Sequence, residues 1–270
     1  MFFSPKGISQ SFSRLLSYAL LFMTPGLSLA LAPDSVWVEA VWVEAESDKN
    51  SIRFARYEND KWALFNEPLY VSDNSLTSPA LGSNSRGQKI LIWTEQNKAK
   101  TILMSMNGEP TPADELSWSE PSVFSKHGIE NFAASIVYDR NDEAWVFWSA
   151  TTGTYSDIVM QRYNGDYWDR PLQVNQENAV PDDLPRAEVT EHGTIRVEWR
   201  SFDLETGLPI PQEKEFLPDS KGIPLANLKL VDNIDSRAIP LPPNMPPYSP
   251  ALLHFPTNAM VQSARIEFAR

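Results

Sequence analysis

Three strand-like segments, each built around a tryptophan, recur at nearly constant spacing along this chain. Trp93, Trp148 and Trp199 stand at their centres, 55 and 51 residues apart. A small or cyclic residue lies 14 positions before each tryptophan, at Pro79, Ala134 and Pro185. A repeat of about 50 residues with tryptophans in register is typical of arrays of similar supersecondary units. This spacing constrains the fold before any single residue is interpreted.

Each unit continues with a second strand, a polar turn and a further tryptophan. The second strands align on Ile52, Ile102 and Ile158, and the later tryptophans are Trp62, Trp118 and Trp168. Asn-Gly and Asn-Asp at the turns supply the positive φ values that tight hairpins need. The units cover approximately 36–75, 76–125, 128–175 and 176–217. Repeated antiparallel units of this length predict an all-β, β-propeller-like array of four to five blades.

Apolar residues are distributed differently in the last unit. Strands 89–95 and 143–149 are apolar on both faces, as expected for sheets packed between two neighbours. Strand 194–200 alternates, with Ile195 and Val197 on one face and charged residues on the other. We therefore predict that one face of this sheet is wet or contacts a polar partner, and that the array is incomplete or open near it.

The N-terminal 30 residues are predicted to form a secretory signal. Lys6 and Arg14 give a basic region, an apolar run follows at 15–23, and Ala30 ends a small-residue cleavage pattern. The run is shorter than the ~20 residues that span a bilayer. We expect export to the periplasm or the cell exterior, with an uncleaved anchor as the alternative. No other run in the chain is long enough to predict a transmembrane segment.

The C-terminal part of the chain changes character twice. Residues 31–217 form the predicted repeat domain, and residues 218–250 are proline-rich and predicted to be extended. Residues 251–270 return to a β pattern, because Arg265-Ile-Glu-Phe268 matches Arg196-Val-Glu-Trp199 in residue type. This match predicts that the C-terminal strand pairs with the N-terminal unit and closes the array, with a loosely docked tail as the alternative.

A pentapeptide is repeated in tandem at the start of the first unit. Val36-Trp-Val-Glu-Ala40 is followed at once by Val41-Trp-Val-Glu-Ala45. Five is an odd number, so equivalent side chains of the two copies should lie on opposite faces of one strand. We align the second copy with the central strands of the other units.

Charge and metal-ligand patterns exclude several classes of function. A net charge of −12 disfavours nucleic acid and anionic lipid as partners. The chain has no cysteine, and His127, His192 and His254 are far apart in sequence, so no metal site and no cofactor are predicted. Acidic loops at 47–50 and 141–143 are the candidates for calcium, but neither is a complete coordinating loop. Asp182-Asp183, Asp142-Glu143 and Asp60 with Asp166 could in principle be paired carboxylates, yet we interpret them as surface and turn residues.

The motif R-Y-x-x-D-x-W occurs twice and provides the candidate binding residues. The two copies contain Arg56, Tyr57, Asp60 and Trp62, and Arg162, Tyr163, Asp166 and Trp168, and Trp118 occupies the equivalent position in the second unit. We interpret the motif as a fold signature repeated in each blade. Its aspartates are expected to cap turn amides. A ligand contact repeated blade by blade is the alternative.

The third unit resembles the repeats of sialidase-like propellers, including bacterial neuraminidase (Asp-box) repeats. The resemblance extends over about 36–215 and rests on Asp157-Ile158, Arg162-Tyr-Asn-Gly165, Trp168, Pro171 and Val174. It implies a propeller and a carbohydrate-related role. The repeats are degenerate, because Tyr57 and Tyr163 stand where an Asp-box has aspartate. No Phe-Arg-Ile-Pro-like motif is present, and the recurring Arg53, Arg56, Arg162 and Arg196 suggest structural use.

The sequence thus favours an exported, non-catalytic binding module for a carbohydrate or protein ligand, with no catalytic residues assigned. Two alternatives stay open. One is a sialidase-like glycoside hydrolase. The other is a structural or assembly protein that self-associates, or adds its terminal strand to the sheet of a partner.

Overall fold

The described part of the chain is built from strands alone. The computed structural model describes residues 38–46, 48–111, 116–125, 128–218, 242–245, 251–254 and 263–266. They belong to one compact unit, Val36–Arg270, and contain eighteen strands and no helix. The predicted signal at 1–30 and nearly all of the proline-rich segment lie outside the described residues. The all-β prediction is confirmed.

The strands form three sheets, which we divide into four antiparallel blades; blades II and III are joined into one nine-stranded sheet by a single parallel pair, Glu130 with Thr101. Blade I contains β1 (Val38–Ala45), β2 (Asn50–Glu58), β3 (Lys61–Leu64) and β4 (Tyr70–Ser72), together with β17 (Ala251–His254) and β18 (Ser263–Ile266). Blade II contains β5 (Ser75–Ser83), β6 (Lys89–Gln96), β7 (Thr101–Pro110), β8 (Leu116–Trp118) and β9 (Ser122–Ser125). Blade III contains β10 (Glu130–Tyr138), β11 (Ala144–Thr151), β12 (Ser156–Tyr163) and β13 (Leu172–Gln173). Blade IV contains β14 (Asp183–Val189), β15 (Ile195–Phe202) and β16 (Pro209–Phe216).

The backbone repeats with the same spacing as the tryptophans. The first strands of blades II, III and IV each contain a bulge, where Ser78, Ala133 and Leu184 have φ of 50°, 55° and 54°. The Ala133 N–H donates to the Thr94 hydroxyl of the preceding blade at 3.1 Å, and the Leu184 N–H donates to Ser149 Oγ at 3.1 Å. These bonds join neighbouring blades at a repeated point. The small or cyclic residue 14 positions before each tryptophan is the second residue of this bulge.

The cores lie between the blades. Trp93 packs with Val41 and Phe54 between blades I and II, and Trp148 packs with Ile92 between blades II and III. Both tryptophan side chains are completely buried. Burying the apolar area of such side chains is the main stabilising contribution to a fold of this kind. All three central tryptophans lie in inter-blade cores, since Trp199 belongs to the core between blades III and IV.

Blade IV has one apolar and one charged face, as its alternation predicts. Ile195 and Val197 are fully buried against blade III, whereas Glu198 and Arg200 are exposed. The charged face carries ion pairs of Arg200 with Asp183 and of Arg196 with Glu188.

The C-terminal strands join blade I, but not in the predicted order. Strand β17 pairs with β1, with Val41 opposite Leu252, and β18 pairs with β17. The prediction that a C-terminal strand pairs with the N-terminal unit is confirmed. The segment beginning at Arg265, which matches the blade IV strand, is not the direct neighbour of β1. The shorter Ala251–His254 takes that place, which a residue-type match alone could not distinguish.

Removing the C-terminal strands should destabilise blade I. A chain ending at residue 250 loses the four residue pairs between β17 and β1. We expect a loss of about 2 kcal/mol and a fall of about 4–8 °C in the melting temperature. A chain ending at residue 266 retains both strands and serves as the control in differential scanning calorimetry. An unchanged melting temperature after removal of 251–270 would show that this pairing contributes nothing to stability.

Candidate functional site

The first copy of the repeated motif forms a hairpin at the outer edge of blade I. Asn59 and Asp60 make the tight turn with φ of 51° and 61°. The rings of Tyr57 and Trp62 lie 5.2 Å apart, and the Tyr57 hydroxyl donates to Asp60 Oδ1 at 3.5 Å. Arg56 pairs with Glu39 on the neighbouring strand at 3.0 Å. Tyr57, Asp60 and Trp62 of the motif therefore contact one another within the hairpin, and Arg56 contacts the neighbouring strand.

The second copy does the same at the edge of blade III. The Tyr163 and Trp168 rings lie 5.0 Å apart, and Arg162 pairs with Glu143 at 3.4 Å. The expectation that the aspartate caps this turn is wrong. Asn164 Oδ1 accepts from the N–H groups of residues 166 and 167 at 3.0 and 3.1 Å, and Asp166 is exposed. Asn164 stands two and three residues before these amides, which is the spacing of an Asx-turn, whereas Asp166 lies within the turn itself.

The structure does not bring the two motif copies into one site. They lie in different sheets and form contacts within their own blades. Each of the four recurring arginines pairs with a carboxylate of its own sheet, in the pairs Arg53–Glu44, Arg56–Glu39, Arg162–Glu143 and Arg196–Glu188. These pairs fit the structural use expected of the arginines.

Trp118 is the predicted binding residue that lines a substantial depression. A groove of about 700 Å³ lies between the outer parts of blades I and II. One wall is residues 65–71 of blade I, and the other is Met106 and residues 118–121 of blade II. Sequence reasoning missed the blade I wall, because its residues carry no repeated motif. The feature of the sequence that could have indicated this wall is the aromatic and proline content of residues 65–71.

Both walls of the groove are held by the strands behind them. The Leu69 N–H donates to the Ile52 carbonyl at 2.8 Å, and the Ser119 N–H donates to the Asn107 carbonyl at 2.8 Å. Trp118 packs against Phe54 with ring centroids 6.1 Å apart. The wall positions are therefore fixed before any ligand arrives, which reduces the entropy cost of binding.

Tyr70 connects the groove to a buried carboxylate. Its hydroxyl donates to Glu95 Oε2 at 3.1 Å, and its ring lies 4.9 Å from Trp93. Burial is the first cause, and the Glu95 charge the second, of a pKa of Tyr70 above its ordinary value. Tyr70 thus acts as a neutral donor and a fixed aromatic surface.

We call the half-buried Tyr70 and Trp118 of the two walls the aromatic floor of the groove, and the exposed Asn66, Glu67 and Glu120 its polar, acidic rim. Both charged side chains of the lining residues are carboxylates. Such a surface suits a ligand that has apolar faces and many hydroxyl groups, and it repels a ligand that carries a carboxylate.

The buried carboxylates in the described blades are engaged by the fold itself. Glu95 accepts from Tyr70, Ser72 and Asn74, and Asp182 accepts from Trp199, Asn175 and Asn178. Asp139 accepts from Trp145 Nε1 at 2.9 Å and from two turn amides. Burial raises the pKa of Asp139, and these bonds oppose that rise. The oxygens of these groups are occupied in holding turns and tryptophans.

The tandem pentapeptide contains a further buried carboxylate, that of Glu39. Glu39 of the first copy is fully buried and pairs with Lys89 Nζ of blade II at 2.7 Å. Glu44 of the second copy lies on the opposite face of β1 and pairs with Arg53 at 2.6 Å. The predicted change of face is confirmed. Burial lowers the pKa of Lys89, and Glu39 opposes this.

The described residues contain neither a metal-ligand cluster nor a membrane-spanning helix. No group of three or more His, Asp or Glu side chains there is arranged to hold a metal ion. In the same part of the chain, no helix is long and apolar enough to cross a membrane.

Comparison with solved structures gives only distant likenesses. The chain is 9% identical to the Hadza microbial sialidase Hz136 over 63% of its length, with a TM-score of 0.42, and spans 44% of that protein. It is 10% identical to an endo-arabinase from Bacteroides thetaiotaomicron VPI-5482 (TM-score 0.45, 85% of this chain and 93% of that one). It is 12% identical to a protein of unknown function from Dyadobacter fermentans DSM 18053 (TM-score 0.47, 82% and 75%). No protein-family model and no curated protein sequence matches the chain. The blade topology itself therefore defines the class, an all-β, propeller-like array.

Proposed function

We propose that this protein is an exported, non-catalytic binding module that holds a neutral glycan in the groove between blades I and II. The observation that carries this proposal is the aromatic floor of Trp118 and Tyr70 beneath an amide and carboxylate rim. Sugar rings present apolar faces that pack on aromatic side chains, while their hydroxyls bond to amides and carboxylates. Export rests on the basic and apolar pattern of the first 30 residues.

The charge of the rim favours a neutral glycan over a sialylated one. Glu67 and Glu120 would face the carboxylate of a sialic acid and repel it. The engagement of Glu95, Asp139 and Asp182 in fold-maintaining hydrogen bonds supports binding rather than hydrolysis. A glycosidase needs two carboxyl groups on either side of one bond, and its acid usually lies in a buried, apolar setting. Glu67 and Glu120, on the two walls of the groove, are both exposed.

Truncating the aromatic floor should weaken glycan binding. We expect Trp118→Ala to weaken binding by about 30-fold, since removal of a central aromatic contact typically costs ~2 kcal/mol. The measurement is isothermal titration calorimetry with neutral xylo-, arabino-, manno- and cello-oligosaccharides of four to six units. Trp168→Ala is the matched control, because Trp168 lies on blade III and does not line the groove.

Two outcomes would contradict the proposal. Binding of sialyllactose in preference to every neutral oligosaccharide would exclude the neutral-glycan assignment. Release of reducing ends from any of these sugars, or hydrolysis of a fluorogenic sialoside, would show an enzyme in place of a binding module.

A further inference from the structure

Among the described residues, blade IV has three strands, whereas each of the other blades has four or more. Strand β16 pairs with β15, and no strand pairs with its other edge within the described ranges. Gln212 of β16 lies opposite Trp199, as Val159 and Met104 lie opposite the tryptophans of blades III and II. Those two positions are covered by β13 and β9. The first seven of the eight residues of β16 are exposed.

The sequence of β16 leaves only part of this edge able to donate hydrogen bonds. The Asp203 N–H donates to the Leu208 carbonyl at the hairpin, so backbone groups of 209, 211, 213 and 215 point away from β15. Pro209 and Pro211 have no N–H and block the first half, as is common on protected edges. The outward donors are the amides of Glu213 and Glu215.

The charges around these two amides select the partner. Glu213 lies directly opposite Glu198, and like charges in that position destabilise a sheet. The ion pairs of this face join Arg196 and Arg200 to Glu188, Glu198 and Asp183, and none of them includes Glu213. A second copy of the chain paired edge to edge would place glutamates against glutamates, whereas a lysine or arginine opposite Glu213 would be stabilised.

On the opposite side of β16, Ile210, Gln212 and Lys214 are exposed, and only the C-terminal residue Phe216 packs on the apolar core of blade III. Phe216 packs against Trp145 and Phe147 with centroid distances of 5.8 and 5.7 Å, and Lys214 Nζ donates to the Val174 carbonyl at 2.9 Å. An added strand would place its alternate residues beside this core. Its sequence should therefore alternate basic and apolar residues.

We propose that the 213–215 edge of β16 docks an extended segment of a partner protein in which basic and apolar residues alternate. The segment adds to blade IV as its fourth strand. Backbone hydrogen bonds to the amides of Glu213 and Glu215 give affinity, and the Glu213 carboxylate selects a basic residue, whereas Glu215 accepts from the Thr194 hydroxyl and lies opposite Arg196. This surface is separate from the glycan groove and does not depend on the proposed function.

The test uses the full chain and a fluorescent heptapeptide that alternates valine and lysine, with a valine–glutamate heptapeptide as comparison. Fluorescence anisotropy should show binding of the first peptide and not of the second. Glu213→Pro removes one outward donor without touching the β15–β16 ladder, and we expect it to weaken binding about tenfold. Glu213→Arg should weaken it comparably by reversing the charge, which covers the case in which the proline variant fails to fold.

Hydrogen exchange distinguishes a partner from the chain's own residues 219–241. The proposal expects the amides of Glu213 and Glu215 to exchange rapidly in the free protein and to become protected when the valine–lysine peptide is added. Protection of both amides without peptide would show that the edge is already occupied by the chain and would overturn the proposal. Equal binding of the two peptides, or binding of neither, would overturn it as well.

Discussion

Replacing Glu39 by leucine is expected to lower the free energy of unfolding by about 3–5 kcal/mol. The reason is the ammonium group of Lys89, which is 2% exposed and lies 2.7 Å from Glu39 Oε2. Without Glu39 this charge stays buried with its main counter-charge removed. Urea unfolding of the wild type and of the variant measures the loss.

The tandem pentapeptide supplies a matched control. Glu44 occupies the same position in the second copy, on the same strand, but its pair with Arg53 is about one-quarter exposed on each side. Glu44→Leu should therefore cost at most ~1 kcal/mol. The double variant Glu39→Leu/Lys89→Met should recover most of the loss, because an apolar pair can replace a buried ion pair. A double variant as unstable as Glu39→Leu would show that packing, not charge, is responsible.

The pH dependence gives a second test of the same cause. Burial lowers the pKa of Lys89 below its ordinary 10.5, so the native state releases this proton at lower pH than the unfolded chain. The unfolded chain then binds more protons in that window, and stability rises with pH there. In Glu39→Leu the pKa of Lys89 should fall further. The difference in unfolding free energy between the wild type and this variant should therefore be smaller at pH 9.5 than at pH 7. An equal difference at both pH values would contradict this account.

The repeat and its core were predictable because they are encoded locally. Central tryptophans, turn residues and strand alternation are set by near neighbours in sequence. The alternation of strand 194–200 likewise predicted the charged face of blade IV, where Glu198 is exposed and Val197 is not. Features that recur in each blade could be predicted by aligning the sequences of the repeated units.

The groove and the buried ion pair were not predictable in the same way, because they join different blades. Glu39 and Lys89 are 50 residues apart, and nothing in the pentapeptide shows which copy faces blade II. The groove likewise combines residues 65–71 with Trp118. Because it recurs, the R-Y-x-x-D-x-W motif provided the candidate binding residues, although its two copies fold into separate hairpins. Recurrence alone could not distinguish Trp118, which lines the groove, from Trp168, which does not.

The central tryptophans allow the hydrogen-bonding and packing contributions to be separated. Trp148 Nε1 donates to Asn131 Oδ1 at 3.0 Å, and Trp199 Nε1 donates to Asp182 Oδ1 at 2.8 Å. In both cases the acceptor lies 17 residues before the tryptophan. The equivalent residue of blade II is Leu76, and Trp93 Nε1 has no partner in the part of the chain that the structure describes.

Trp148→Ala is accordingly expected to cost about 3–5 kcal/mol, since a fully buried indole would be replaced by a cavity between blades II and III. The more informative comparison is Trp148→Phe with Trp93→Phe. Both remove similar volume, but only the first also removes a hydrogen bond from a buried amide. We expect Trp148→Phe to cost about 1–2 kcal/mol more in urea unfolding. Equal losses would show that Asn131 is not stabilised by the indole, and that packing alone keeps a tryptophan at the centre of each blade.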